Sequence, residues 1–254
     1  MLMSVASSWA DQVFVATSSA EFFKYDTLTG AFSTPHNNGT VLYGLGFTTG
    51  GVLYANDSSA NPNNGLYTVN TSTGALTFVG DIGLSSGGPG TLSAAANGGQ
   101  LYLADRGNNN LYTINPSNGA ATLIGNTGVA IGGSWDLNFG PDGNLYLSSS
   151  GNLYKINQST GANTFVGSFG SGLQMQSIVE GDGNLYGFDF SGMYTINLLN
   201  GTATFDRNTP AGLGDFYAET PVFAGTAVPE PRRAYLLVFV LIATLMVRSR
   251  RAIG

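Results

Sequence analysis

One histidine, no cysteine and fifteen acids bound the chemistry open to this chain of 254 residues. The histidine, His36, stands in "STPHNNG", whose Pro, Asn and Gly content reads as a loop. Serines are plentiful, but none sits in a G-x-S-x-G elbow ahead of a helix, so a Ser-His-Asp triad through His36 has little to build on. A single histidine and no thiol exclude a multi-His or thiolate zinc site and a cysteine nucleophile. Oxygen-ligand sites stay open. "YANDSSANPNN" around Asp57 and "ADRGNNN" around Asp105 carry the carboxylates and amides that hard cations take. Neither has the spaced acids of a known calcium loop, and both read more simply as hydrophilic connections. The sequence assigns no catalytic residue, no metal site and no cofactor.

These side chains need elements to position them, and those elements come from a repeat. Four segments are nearly interchangeable: "GLYTVNTSTGALTFVG" from Gly65, "NLYTINPSNGAATLIG" from Asn110, "NLYKINQSTGANTFVG" from Asn152 and "GMYTINLLNGTATFDR" from Gly192. A diverged copy, "EFFKYDTLTGAFSTP", starts at Glu21. Gly30, Gly74, Gly119, Gly161 and Gly201 mark the turns, 44, 45, 42 and 40 residues apart by difference of their numbers. Each copy reads as a hairpin. "LYTIN" alternates with period two, and the Gly after it tolerates the positive φ of a tight turn. A second hairpin precedes each of the later four, its first strand variable and its second steadier ("VLYAND", "QLYLAD", "NLYLSS", "NLYGFD"). Four antiparallel strands per unit is the pattern of a β-propeller blade.

The body, residues 11–226, is therefore expected to be all-β, a propeller of about five blades. The N-terminus supplies three strands, around Val13–Ala16, Phe22–Tyr25 and Ala31–Ser33. "LGDFYAETPVFAG" from Leu213 holds a spare strand that would complete their blade and shut the ring. An incomplete six-bladed ring and an open array are the alternatives. Tyr25, Tyr67, Tyr112, Tyr154 and Tyr194 are read as one packing tyrosine per unit. Asn70, Asn115, Asn157 and Asn197, with Asp26 in the first copy, are read as turn-makers. The variable first strands would line the channel. Trp135, Asp136, Gln174, Gln176 and Asp215 lie on or beside them and are the candidate ligand-binding residues.

Composition narrows the partners. Charged residues make up only 9%, and 37 glycines follow no collagen period. Up to residue 227 the only cations are Lys24, Arg106, Lys155 and Arg207, against every acid except Glu230. An acidic body without a basic stripe excludes a nucleic-acid backbone as partner. Residues 1–10, "MLMSVASSWA", are small and apolar and read as the remnant of a signal peptide or as a short disordered N-terminus.

The end of the chain is of another kind. Val228, Pro229, Glu230 and Pro231 are followed by Arg232 and Arg233. A 14-residue apolar run then comes, made of Ala234, Tyr235, Leu236, Leu237, Val238, Phe239, Val240, Leu241, Ile242, Ala243, Thr244, Leu245, Met246 and Val247. Arg248, Arg250 and Arg251 close it. The run is shorter than the roughly 20 residues of a usual span, but flanking arginines can snorkel and lengthen it. This order of parts resembles the PEP-CTERM protein-sorting signal of Gram-negative bacteria, over residues 227–254. The resemblance implies a single hydrophobic helix held transiently in the inner membrane, with the basic end as cytoplasmic stop. It implies recognition of the "VPEP" motif by an exosortase-type transpeptidase, and delivery to the cell surface or to an extracellular polysaccharide or biofilm matrix. The body more loosely resembles secreted bacterial β-propeller repeat proteins. Together these give the expected function: an exported propeller that binds or adheres, and is not an enzyme. A secreted propeller enzyme acting on carbohydrate or ester, and a purely structural matrix protein, are the alternatives.

Overall fold

In the computed structural model of this chain, residues 12–48, 50–57, 64–84, 90–94 and 99–222 are described. They all lie in the first of two compact units, 1–223 and 224–254. The expected signal remnant, sorting motif and hydrophobic helix fall outside the described residues. Among the described residues no helix is long and apolar enough to cross a membrane.

Five four-stranded antiparallel sheets make up the body. The first holds β1 (Gln12–Thr17), β2 (Glu21–Asp26) and β3 (His36–Asn37), with β4 (Leu42–Phe47), β5 (Leu53–Asp57), β6 (Gly65–Val69) and β7 (Leu76–Asp81) forming the second. The third comprises β8 (Gly90–Ala94), β9 (Leu101–Asp105), β10 (Asn110–Ile114) and β11 (Ala121–Asn126). The fourth comprises β12 (Trp135–Phe139), β13 (Leu145–Ser149), β14 (Asn152–Ile156) and β15 (Asn163–Ser168). β16 (Ser177–Gly181), β17 (Asn184–Phe188), β18 (Gly192–Ile196) and β19 (Ala203–Asn208) form the fifth. The last strand, β20 (Phe216–Pro221), returns to pair with β1. The innermost strands β4, β8, β12, β16 and β20 neighbour one another around a common axis. This is a closed five-bladed propeller, shut by the strand expected from "LGDFYAETPVFAG", and neither six-bladed nor open.

The turn residues act as their chemistry suggests. Asn70 Oδ1 accepts from the amides of Ser72 and Thr73, Asn157 Oδ1 from Ser159 and Thr160, and Asp26 Oδ1 from Leu28 and Thr29. Asn115 and Asn197 each accept from the amide two residues on. The Gly four residues beyond each Asx then donates back to the Asx carbonyl, with φ between 71° and 81°. These local bonds fix where each outer hairpin reverses.

Blades pack face to face through both sides of their middle strands. Val13, Val15, Phe23 and Tyr25 of the first blade meet Val179, Phe188 and Met193 of the fifth, with Phe216 of β20 among them. Outer hairpins also touch the next blade through backbone alone. A β-carbon placed on Gly80, Gly125 or Gly167 would strike the carbonyl oxygen of Asn118, Thr160 or Asn200, in the following blade's turn. Arg207 holds that repeat position at the ring junction, where its guanidinium donates to Leu28 O at 2.8 Å.

Two local expectations are corrected. Counting back from the turn glycines, Phe23, not Tyr25, holds the place of Tyr67, Tyr154 and Tyr194. Phe23 contacts Phe32 as Tyr67 contacts Phe78, Tyr154 contacts Phe165 and Tyr194 contacts Phe205. Tyr25 instead takes the inward position of Val69 and is fully buried, its hydroxyl without a hydrogen-bond partner. The third N-terminal strand is also broken. Ser33 N bonds Lys24 O and Phe32 bridges Tyr25, but the ladder then lapses until His36–Asn37. Pro35 lies in that gap and has no N–H to donate.

Candidate functional site

The axis is filled by polar side chains from the innermost strands. Asp136, the second residue of β12, accepts from Thr91 Oγ1 of β8 at 2.6 Å and from the Ile178 amide of β16 at 2.9 Å. One carboxyl thus ties three blades together. Two residues along β12, Asn138 accepts from Ser93 Oγ at 3.1 Å and donates to Ile178 O and Glu219 O, both at 2.9 Å. Burial pushes the Asp136 carboxyl up to about 8, against the opposing pull of the Ile178 amide and Thr91 hydroxyl. Glu219 of β20 is raised well above the usual carboxylate range, first by burial and then by the nearby Asp136. The Ser177 hydroxyl lies beside the Glu219 carboxyl and eases it downward, but the two do not meet in hydrogen-bonding geometry. Asp136 and Glu219 are 2% and 1% exposed, so neither is within reach of a substrate.

The residues expected to bind ligand ring one mouth of this axis, where the innermost strands begin, but they come from different blades. Trp135 is half-buried and packs on a core that includes Val129, Ile131 and Leu137. Gln174 is brought next to it, its side-chain oxygen 3.5 Å from the Ser134 amide. The Gln176 backbone amide is spent on Phe188 O. Asp215 sits blades away, its amide on Ser18 Oγ at 2.9 Å. Sequence reasoning missed two tyrosines at the same mouth. Tyr43 and Tyr217 are the unpaired residues at register shifts in β4 and β20, and their rings lie 5.6 Å apart. A bulge re-aims a side chain in this way.

A concave site opens elsewhere, between the first and second blades. It has a volume of about 530 Å³ and is lined by Phe14, Phe22, Lys24, Ser33, Thr34, His36, Thr71 and Ser72, among others. Its origin is the broken third strand. In the other blades the outermost strand spans six residues, whereas here β3 has two, which leaves one side of β2 open. Thr71 and Ser72, from the Asx turn of the next blade, form the facing wall. Phe14 and Phe22 stack beneath at 5.2 Å, and the Lys24 ammonium stands 5.4 Å from the Phe14 ring centre. The site therefore combines a cation, an exposed imidazole and four hydroxyls over an aromatic base. Its signals in the sequence were Pro35 and a rare lysine, and neither reveals that a turn some forty residues on completes the wall.

Asp57 and Asp105 serve their own strands. Asp57 accepts from the Gly65 amide at 2.8 Å and the Tyr67 hydroxyl at 3.0 Å, and Asp105 from the Gly107 amide at 2.9 Å. Among the described residues no three His, Cys, Asp or Glu side chains gather as a metal cluster.

No family model matches this chain, and no curated protein does. Solved structures resemble it in fold. A structural-genomics protein of unknown function from Bacteroides thetaiotaomicron superposes with a TM-score of 0.60 at 18% identity, over 85% of this chain and 63% of that one. A chain of a nidogen/laminin complex gives 0.57 at 13%, over 82% and 97%. An auxiliary nutrient binding protein from Bacteroides ovatus gives 0.53 at 13%, over 80% and 56%. The chain thus spans less than two thirds of both Bacteroides proteins, and at these identities the likeness is one of fold alone.

Proposed function

We propose that this is an exported propeller of the cell surface or extracellular matrix, and that it binds acidic polysaccharide in the cleft between its first two blades. The observation that carries the reading is the cleft's composition. Lys24, one of four cations before residue 228, and His36, the only histidine, stand over it together with the hydroxyls of Ser33, Thr34, Thr71 and Ser72. Hydroxyls match sugar hydroxyls, and the ammonium matches a uronate carboxylate through a charge-assisted hydrogen bond. The resemblance of residues 227–254 to a PEP-CTERM signal supports delivery to a polysaccharide matrix through an exosortase-type transpeptidase. A nutrient-binding protein among proteins of like fold agrees with a binding role.

The enzyme alternative has one observation behind it, the two carboxyls with raised pKa on the axis. Their burial beneath the mouth separates them from any polymer, so the binding reading is preferred. A glycan array probed with the purified protein tests it. Uronate-bearing glycans should bind and neutral ones should bind less. Lys24→Gln should weaken the acidic signal about tenfold or more, as loss of a charged hydrogen bond does. Equal binding by the variant, or silence on every acidic glycan, would sink the assignment. Sorting is tested separately by following a tagged protein with and without residues 228–254. Equal retention of both in the cytoplasm would end that part of the proposal.

A further inference from the structure

Glu219 presents a problem that the fold itself does not solve. It is 1% exposed, and neither Oε1 nor Oε2 has a hydrogen-bond partner. Beside it Ser177 Oγ is fully buried and equally unpartnered. Asp136 lies close enough to act on Glu219 electrostatically, and the bonds its carboxyl accepts, from Thr91, the Ile178 amide and the Leu137 amide, are fewer than the roughly four that its two oxygens can take. Among the described residues no basic side chain acts on either carboxyl. Buried polar atoms are nearly always satisfied, and two buried carboxyls with nothing positive between them are costly.

A proton on Glu219 would remove charge without satisfying the site. The new hydroxyl would need a well-placed acceptor, and neither Glu219 oxygen meets a neighbour in hydrogen-bonding geometry, the adjacent Ser177 hydroxyl included. A hard cation would engage both oxygens at once and offset both carboxyls. We propose that the propeller axis is a binding site for a hard divalent cation of calcium type. Its protein donors are the Glu219 carboxylate, a free lone pair of Asp136 and the Ser177 hydroxyl. The donor set is all oxygen, mixing charged and neutral ligands as calcium prefers, and it lacks the nitrogen and sulfur that zinc or copper would select. The three donors come from β20, β12 and β16, that is from the first, fourth and fifth blades, so the ion would join the closing strand to the blades it must meet.

The full-length protein is stripped with EDTA, then melted in EDTA, in CaCl2, in MgCl2, and in NaCl at matched ionic strength. Calcium content after dialysis is measured by elemental analysis. One equivalent of calcium is expected, with a rise in Tm of roughly 5–10 °C at saturating CaCl2 over EDTA. Glu219→Gln should abolish the rise and the bound calcium while melting in EDTA no lower than the wild type. Ser177→Ala, which removes only a neutral donor and serves if Glu219→Gln does not fold, should shrink the rise. A Tm indifferent to CaCl2 and MgCl2, or a calcium response unchanged in these variants, would overturn the site. A Tm that follows pH but not metal would show that the carboxyls hold only protons, and would overturn it as well.

Discussion

Asp136 makes folding a proton-linked event. Its folded pKa of about 8 lies above the unfolded value of 3.8, so between those limits the folded chain holds a proton that the unfolded chain has released. The stability it contributes is fully present below pH 4 and is lost as pH rises toward 8. Glu219, raised in the same sense, adds to the slope. In EDTA, the unfolding free energy from urea melts should therefore fall as pH is raised from about 4 to about 8, by an amount on the order of several kcal/mol. Asp136→Asn should flatten that fall, and an unchanged slope in the variant would contradict the burial argument. Local turn chemistry sets a smaller scale. Asn157→Ala removes the side-chain oxygen that accepts from two backbone amides of one hairpin and should cost about 1 kcal/mol in urea denaturation. That role was legible in the sequence because Asn157 bonds residues two and three positions away. The role of Asp136 was not, because Thr91 and Ile178 stand 45 and 42 residues off. For Glu219 the available hint was a lone acid in a strand otherwise suited to burial.

Blades meet through glycine where hairpins cross, and the repeat keeps that contact in three places. Gly125→Ala would drive a methyl group into Thr160 O and should destabilise by about 1–3 kcal/mol. Gly132→Ala, with no atom within 4 Å of the new carbon, should stay within about 0.5 kcal/mol of the wild type. Paired urea melts check both, and equal costs would show that crowding does not explain the glycine repeated at this crossing. The strands themselves could be read almost entirely from the sequence, since alternation and Asx-Gly turns are local signals repeated five times. The first outer strand was the exception. Ala31–Ser33 does pair with β2, but Pro35 interrupts it, and the cleft that results depends on where the neighbouring blade sets Thr71 and Ser72. The offset of Tyr25 had a similar cause: matching aromatic letters misled where counting from Gly30 would not have.

Closure decides whether the molecule exists as a single cooperative body. β20 supplies the innermost strand of the first blade, the backbone carbonyl that Asn138 holds, and one of the mouth tyrosines. A chain ending at Thr209 would expose the inner edge of β1 and leave Val13, Val15 and Tyr25 without Phe216. It should lose the single sharp thermal transition seen by circular dichroism and become sensitive to protease across the first and fifth blades. Sharp melting of the shortened chain would show that the ring does not need its latch. The number of blades and the closing strand were both legible, because a ring leaves a countable remainder at each end. The filled axis was not legible, because only the curvature of five blades brings those strands within bonding distance. Because the first blade waits for the last strand, the order of synthesis matters too. Until Pro221 has emerged, a growing chain has four complete blades' worth of hairpins and no circle to lock them.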